Sequence, residues 1–351
     1  MKLHTKLIAI VLTVVLLLSS FSTAFAGEEA TRYFTDSLGR TVRVPEIITK
    51  VAVSGPLAQI VLFALCPDKL VGIASAWDPT AEQYFNSEYY ELPLLGQLYG
   101  GKSEMNLEAL LSSGAQIVID VGEPKGSAAE DLDTLSEQTG IPFVHITAAT
   151  DTMGTAFLLL GGLLGMEEEA ETLAAYCEET YAKALALASR AEKANALYLL
   201  GEAGLNVIAR GSYHAEAIDL MCNNIAVMDN PSSKGTGNEV DLEQIMLWDP
   251  DVILFAPESI YASVGDMEEW QSVSAIASGR YYEVPFGPYN WMGFPPSVQR
   301  YLGLLWMGKL LYPEAAEYDM EQETVTYFSL FYHCALTHEQ YEALVQNSLG
   351  K

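Results

Sequence analysis

One uninterrupted stretch constrains this chain more than any other. Residues 167–193, EEEAETLAAYCEETYAKALALASRAEK, contain no glycine and no proline. Ala174, Cys177, Tyr181, Leu185 and Ala188 recur at spacings of three and four, which stripes one side of a helix, while Glu168, Glu171, Glu178, Glu179 and Lys183 fall elsewhere. At about 1.5 Å per residue such a helix reaches on the order of 40 Å, roughly the width of a domain. It is expected as a rigid strut between two bodies, not as a loose linker.

The flanks of that helix repeat one another. MNLEALLSSGAQIVID (Met105 to Asp120) stands before it and VDLEQIMLWDPDVILF (Val240 to Phe255) after it. Glu108 and Glu243 lie 135 residues apart, and at the same offset Ile117, Val118 and Ile119 match Val252, Ile253 and Leu254. Each copy predicts a short helix with Asn106 or Asp241 as N-cap, then a turn, then a strand apolar on both faces. Two α/β lobes follow, over residues 27–166 and 194–351, joined by the helix of residues 167–193.

Residues 1–26 are expected to be a signal peptide. Lys2 and Lys6 form a basic start, Leu7 to Leu18 an apolar core, and Ala24-Phe25-Ala26 a small-x-small cleavage pattern, so the mature chain begins at Gly27 and is exported, periplasmic or released. The apolar run is shorter than the ~18 to 20 residues that span a bilayer. No second stretch is long enough to cross a membrane, and no cysteine stands at the cleavage site to carry a lipid.

The 351 residues, 50% hydrophobic and 18% charged, have room for two cores. With 46 acidic against 18 basic residues the net charge is −28, which repels nucleic acid and anionic lipid and favours a basic protein partner. Cys66, Cys177, Cys222 and Cys334 show no CxxC spacing and are expected as buried free thiols. The histidines form no HxxxH or HExxH pair, so a zinc enzyme is poorly supported.

The first lobe opens with a hairpin around Asp36 to Arg40, carrying Gly39. Val51 to Val53, Lys69 to Ser75, IVID and Pro142 to Ile146 read as strands, with SGPLAQIVLFAL turning into a helix. The second lobe offers Ala196 to Leu200, Asn206 to Ala209, VILF and Tyr281 to Pro285 as strands, and a helix from Ser297 to Leu311. Strands alternating with helices imply parallel sheets, whose ligands sit at the carboxyl ends of strands. That puts Ser54, Gly55, Pro56, Trp77 and Gly122 on one rim and Gly211 to His214 and Tyr289 to Trp291 on the other, facing each other across a cleft.

The order TDSLGRTVRVP, SGPLAQIVLFAL, MNLEALL with IVID, the single long helix, GSYHAEAIDL, VDLEQIMLWDPDVILF and EEWQSVSAIASGRYYEVP resembles the substrate-binding proteins of ABC importers for ferric siderophores, haem, cobalamin and related chelates. The likeness covers about Tyr33 to Val345. The segment PYNWMGFPPSVQRYLGLLWMGKLLYPE with FSLFYHCALTHEQYEAL is similar to an iron-transport-like branch that has molybdate- and tungstate-binding relatives. The resemblance implies two Rossmann-like lobes joined by one rigid helix (the class III arrangement of periplasmic binding proteins), closing by a small hinge motion. It also implies that Glu108 and Glu243 lie on the outer surface and pair with arginines of a dimeric permease.

For the ligand, the resemblance implies a metal chelate, ferric by preference, with no intrinsic cofactor and no catalysis. Trp77, Tyr99, Tyr213, Tyr289 and Trp291 are the aromatic candidates to stack on it. Pro56, Gly122, Ser212, Asn238 and Asn290 are further candidates, and His214 and Tyr289 are the candidate metal ligands. Arg210, Lys234, Lys102 and Arg300 are the cations available to answer an anionic chelate. The alternatives are a small oxyanion caged by backbone N–H groups and, less favoured, an exported chelatase-like enzyme. A hydrolase lacks its signature, since neither GxSxG nor HExxH occurs.

Overall fold

The computed structural model describes residues 30–99, 104–190 and 192–350. The signal-peptide reading and Lys102 lie outside them. The chain opens with an antiparallel hairpin, β1 (Thr31–Thr35) and β2 (Thr41–Pro45), whose turn carries Gly39 at φ +79°. Asp36 organises it: one carboxylate oxygen accepts from the Leu38 and Arg40 N–H groups, and the other from the Arg40 guanidinium at 2.6 Å and the His145 N–H at 3.2 Å. The hairpin is thereby pinned to the sheet behind it.

The first lobe is built on three parallel strands in the order β3 (Val51–Val53), β4 (Ile117–Gly122), β5 (Phe143–Thr147). Helix α1 (Pro56–Leu65) follows β3, α2 (Leu107–Ser113) precedes β4, α3 (Ala128–Thr139) links β4 to β5, and α4 (Met153–Leu164) follows β5. The stretch Lys69 to Ser75 forms only isolated bridges, Leu70 to Val51 and Ile73 to Leu94, and not the expected strand. Pro67 starts a single 3-10 turn there, which takes up Lys69.

Helix α5 spans Glu167–Arg190 and ends three residues before the expected Lys193. Its buried stripe is Ala170, Leu173, Ala174, Cys177, Thr180, Ala184, Leu187 and Ala188. Leu185, expected in the stripe, is half-exposed, because α4 and a later helix press on the side where Ala184 and Leu187 lie.

Beyond it, six strands form the second sheet: β11 (Tyr281–Glu283), β10 (Val252–Phe255), β6 (Asn195–Leu200), β7 (Asn206–Val207) and β9 (Asn238–Glu239) in order, with β8 (Asn223–Asn224) beside β6. β6, β10 and β11 run parallel, while β7 pairs antiparallel with both β6 and β9, and the expected strand at Asn206 to Ala209 shrinks to two residues. Helices α6 (Glu216–Met221) and α7 (Leu242–Trp248) serve this sheet. α8 begins at Arg300, not Ser297, and runs to Leu311; α9 (Met320–Phe331) and α10 (His338–Val345) follow. α9 returns to the first lobe, where Phe328 meets Tyr84 at 5.1 Å and Tyr332, just past its end, meets Phe85 at 5.7 Å.

The two repeat copies superpose in their bonding as well as in their sequence. Asn106 and Asp241 are N-caps, accepting from the Ala109 and Gln244 N–H groups. Gly114 and Asp249 are the left-handed C-caps. The N–H groups of Gln116 and Asp251 donate to Lys50, just ahead of β3, and to Asn195, the first residue of β6, and the Gln116 and Asp251 side chains accept from the same backbones. All four cysteines are free; three are buried and Cys334 is half-buried.

Candidate functional site

The carboxyl ends of both sheets face one cleft. On the first-lobe side the strand ends are polar. Ser54, following β3, donates its hydroxyl to Asp120 Oδ1, and His145 Nδ1 lies 2.6 Å from Asp120 Oδ2. Asp120 is thus held from both sides by neighbours on adjacent strands, a chain of groups in the order Ser, Asp, His that spends both carboxylate oxygens. Above it stands the amino end of α1, which opens on Gly55 with no side-chain cap; Gly55, Pro56, Leu57 and Ala58 line the cavity there, and since Pro56 has no N–H, Leu57 and Ala58 carry the first-turn donors.

That cavity measures about 290 Å³ and is closed on the far side by Tyr213, His214, Ser233, Pro295 and Pro296. Tyr99, Glu123 and Lys125 complete it. His214 is buried and its Nδ1 finds no hydrogen-bond partner among the described residues. Burial first, then the Arg300 cation, lowers its pKa to about 4, against the opposing pull of the Gly293 and Ser233 backbones; the ring is neutral at pH 7. It stacks on Phe294 with ring centroids 5.2 Å apart.

Phe294 is also the wall of a second, larger chamber of about 740 Å³ at the carboxyl ends of β6 and β10. Leu200, Phe286 and Asn290 line it, with Asp78 reaching in from the first lobe and Glu202, Glu239 and Glu258 around it. Gly235 sits where the two chambers meet, and a Cβ there would lie 2.9 Å from Phe294 and 3.3 Å from His214.

Behind His214 the lobes are bolted together. Buried Arg300 bonds the Glu216 carboxylate and the Tyr213 carbonyl, reaches Thr150 Oγ1 at 3.2 Å, and lies 4.8 Å over the Tyr213 ring. The Thr150 hydroxyl donates to the same Glu216 carboxylate at 2.5 Å, and the Tyr213 hydroxyl donates to Ala148 O at 2.9 Å. Thr150 and Ala148 follow β5, so a residue of each sheet's rim holds the other.

The structure gathers Pro56, Tyr99, Tyr213 and His214 around the smaller chamber and Asn290 in the larger one. Tyr99 donates to Asp131 Oδ2 at 3.1 Å, and burial together with that bond raises its pKa. Ser212 lines a third cavity, beside Glu216 and Tyr181. Gly122 lies between two lining residues at φ +132°, and a Cβ there would sit 3.0 Å from Leu57.

Three aromatic expectations are overturned. Trp77 is core, with its indole N–H donating to Tyr89 O at 2.9 Å and its ring edge-on to Phe63 and Phe85. Trp291 is fully buried under α8, since its carbonyl stands where a side chain at Gly303 would be, 2.3 Å from that Cβ position. Tyr289 is half-buried and packs on Trp77 with ring centroids 6.3 Å apart, it lines neither chamber, and burial drives its phenol pKa far up. The described residues hold no group of three or more His, Cys, Asp or Glu arranged for a metal ion. Asn238 also leaves the site: it closes its own loop, accepting from Ser232 N and donating to Asn230 O.

Of the expected cations, Arg210 bonds Asn223 at 2.5 Å, Lys234 is exposed outside both chambers, and Arg300 is committed to Glu216. Lys125 is the cation that does line the cleft. It was not expected, nor were Asp120 and His145; their one signal in the sequence is a polar residue interrupting an apolar strand, in IVID and PFVHI.

A family model described as periplasmic binding protein matches residues 55–287. Among solved structures the chain is similar to an ABC transporter solute binding protein from Sulfurospirillum deleyianum, at 27% identity and TM-score 0.81, over 89% of this chain and 98% of that one. It is similar to a periplasmic solute binding protein from Veillonella parvula at 24% identity and TM-score 0.71, over 91% and 98%. It also shares its fold with a molybdate-bound periplasmic binding protein of a Haemophilus influenzae ABC transporter, at 18% identity and TM-score 0.68, over 87% and 99%. No curated protein matches.

Proposed function

The chain belongs to the periplasmic binding protein family and is a substrate-binding component of an ABC transporter, and we propose that its solute is a compact oxyanion of the molybdate or tungstate type. The observation that carries the proposal is the uncapped amino end of α1 lining, together with Lys125 and His214, whose Nδ1 has no partner, a cavity of about 290 Å³. Helix-end N–H groups and a nearby cation are the elements an anion uses. Asp120 and Glu123 also line this cavity and oppose an anion, with the Asp120 oxygens engaged by Ser54 and His145, so the helix end and Lys125 must outweigh them. Molybdate is the ligand of the similarly folded Haemophilus influenzae protein, which agrees with this reading.

A ferric chelate is the second reading. It is favoured by the adjoining chamber of about 740 Å³, where Phe286, Phe294 and Asn290 would take the organic body. Flat macrocycles lose support, because Trp77 and Trp291, proposed to stack on them, are core residues. In either reading Pro56, Tyr99, Tyr213 and His214 touch the solute, the chain is exported, and Glu108 and Glu243, both exposed on the first turns of α2 and α7, meet a basic surface on each half of the permease.

Isothermal calorimetry on residues 27–351 against molybdate, tungstate, ferric hydroxamate, ferric catecholate, haem and cobalamin tests this. Saturable binding of molybdate or tungstate that weakens at least tenfold in His214→Gln and Lys125→Ala is the expected result. Binding of a ferric chelate alone replaces the first reading by the second. Heat from haem or cobalamin alone overturns both.

A further inference from the structure

The two chambers of the cleft adjoin without sharing a lining residue. Two segments of chain change sides as they pass between them. Ser233 lines the smaller chamber and Gly235 the larger; Pro295 and Pro296 line the smaller and Phe294 the larger. His214, on the smaller side, stacks on Phe294, on the larger side, with the ring planes 22° apart and the centroids 5.2 Å apart. The boundary is two rings thick at that point.

That boundary is supported from several directions. Tyr198, fully buried in β6, meets the Phe294 ring edge-on at 6.0 Å, and its hydroxyl accepts from the Asn290 side-chain amide at 2.9 Å. Asn290 Oδ1 accepts from the Met292 N–H at 2.8 Å, its carbonyl accepts from the Gly293 N–H at 3.0 Å, and its backbone bridges that of Phe294. The Gln299 side chain, just before α8, donates to Pro295 O. Gly235 closes the remaining side, since a Cβ there would lie 2.9 Å from the Phe294 ring. A ring held in this way resists displacement by a solute, because moving it gives up packing on several sides at once.

We infer that the stacked His214 and Phe294 rings are the size filter of the site: by keeping the chambers apart they confine the solute to the smaller one and reject a chelate whose organic body must reach into the larger. The inference rests on the oxyanion reading proposed above and adds to it a specificity-determining residue, Phe294, that lies outside the smaller chamber. Clefts for organic ligands run from about 300 to 1,000 Å³. The smaller chamber, at about 290 Å³, falls at the bottom of that range and suits a compact anion. Removing the Phe294 ring joins it to the larger chamber, where Leu200 and Phe286 offer an apolar bed to an organic body.

Calorimetry on residues 27–351 with molybdate and with a ferric trihydroxamate tests this. The parent is expected to bind molybdate and to reject the trihydroxamate. Phe294→Ala should bind the trihydroxamate at least about tenfold more tightly than the parent does, while its molybdate affinity changes by less than about threefold. Phe294→Tyr keeps the ring and should match the parent. Gly235 does not have a positive φ, so Gly235→Leu added to Phe294→Ala can refill the gap from the opposite side and should expel the trihydroxamate again. A Phe294→Ala chain that melts within about 5 °C of the parent and still rejects the trihydroxamate overturns the filter and leaves the oxyanion reading standing. Phe294→Leu, which keeps an apolar contact with Tyr198, takes its place if the alanine variant melts lower than that. A parent that binds the trihydroxamate as tightly as Phe294→Ala does overturns the filter, and if it binds no molybdate the oxyanion reading falls with it. If the parent binds neither solute but Phe294→Ala gains the trihydroxamate, the oxyanion reading fails and the filter stands.

Discussion

The two lobes share one local construction and differ where it ends. Up to the strand, the copies match in their N-caps, their left-handed C-caps and the bonds that tie the turn to the neighbouring strand. At the strand's carboxyl end they part: the first lobe has Asp120 where the second has Phe255, 135 residues on. Asp120 holds Ser54 and His145. Phe255 packs edge-on to Trp270 and Tyr281. One lobe therefore brings polar groups and a helix end to the cleft, and the other brings an apolar wall edged by carboxylates. A duplicated frame was kept, and the chemistry was placed on one half of it.

The sharpest way to break that difference is to make the first lobe like the second. Asp120→Leu leaves the Ser54 hydroxyl and the His145 ring buried without their acceptor, and is expected to cost about 3 to 5 kcal/mol in urea unfolding. The matching loss in the second lobe, Phe255→Ala, costs a similar amount by a different route, an apolar cavity, and so shifts the midpoint without affecting solute affinity.

The next effect is one of pH and belongs to the wall between the chambers. His214 has its pKa lowered to about 4 in the folded chain against an ordinary 6.5. Between those values the unfolded chain binds the extra proton, so stability is lost as pH falls from 6.5 towards 4, by on the order of 2 to 3 kcal/mol. His214→Gln should remove that part of the slope in denaturation curves. A bound oxyanion favours the protonated ring, so its affinity should rise over the same descent in pH and stay flat in the variant.

The bolt between the lobes is smaller in effect. Thr150→Val and Arg300→Lys each remove one side of a contact made across the two rims. Their effects on solute off-rate should be non-additive by about 1 kcal/mol in a double-mutant cycle. Additive effects would mean that Arg300 acts only within the second lobe.

Smallest, and most direct as a test of the repeat, is the exchange at the C-caps. Asp249 holds φ +45° where the first copy uses Gly114 at φ +70°. Asp249→Gly is expected to gain about 0.5 to 1 kcal/mol, and Gly114→Asp to lose a similar amount, in paired thermal melts.

Much of the frame was legible because it is local. The period of α5, the caps Asn106 and Asp241, and the apolar runs of β4 and β10 are carried by neighbours in sequence, where propensity and spacing act directly. The repeat made two lobes and a cleft readable before any coordinates. The positions of Pro56, Tyr213 and His214 beside the cleft were reachable by the same logic, since they follow strands of the two sheets, whereas Tyr99 follows no strand and was named only as an aromatic. Trp77, Tyr289 and Trp291 satisfied that logic too and were wrongly placed, because nothing local tells a ring facing a cleft from one facing a core.

Sequence alone thus determined the strut, the duplicated α/β units and the rims that face the cleft. Tertiary structure decided which rim residues are free. Arg300 became a bolt because Glu216 and Thr150 reach it from 84 and 150 residues away. α9 crossed back to pack on the first lobe, and Trp77 was taken into the aromatic core with Phe63 and Phe85. Those outcomes turn on long-range burial and pairing, in which a side chain goes where its apolar area and its charge are both best satisfied, and that balance is set by partners the local sequence does not contain.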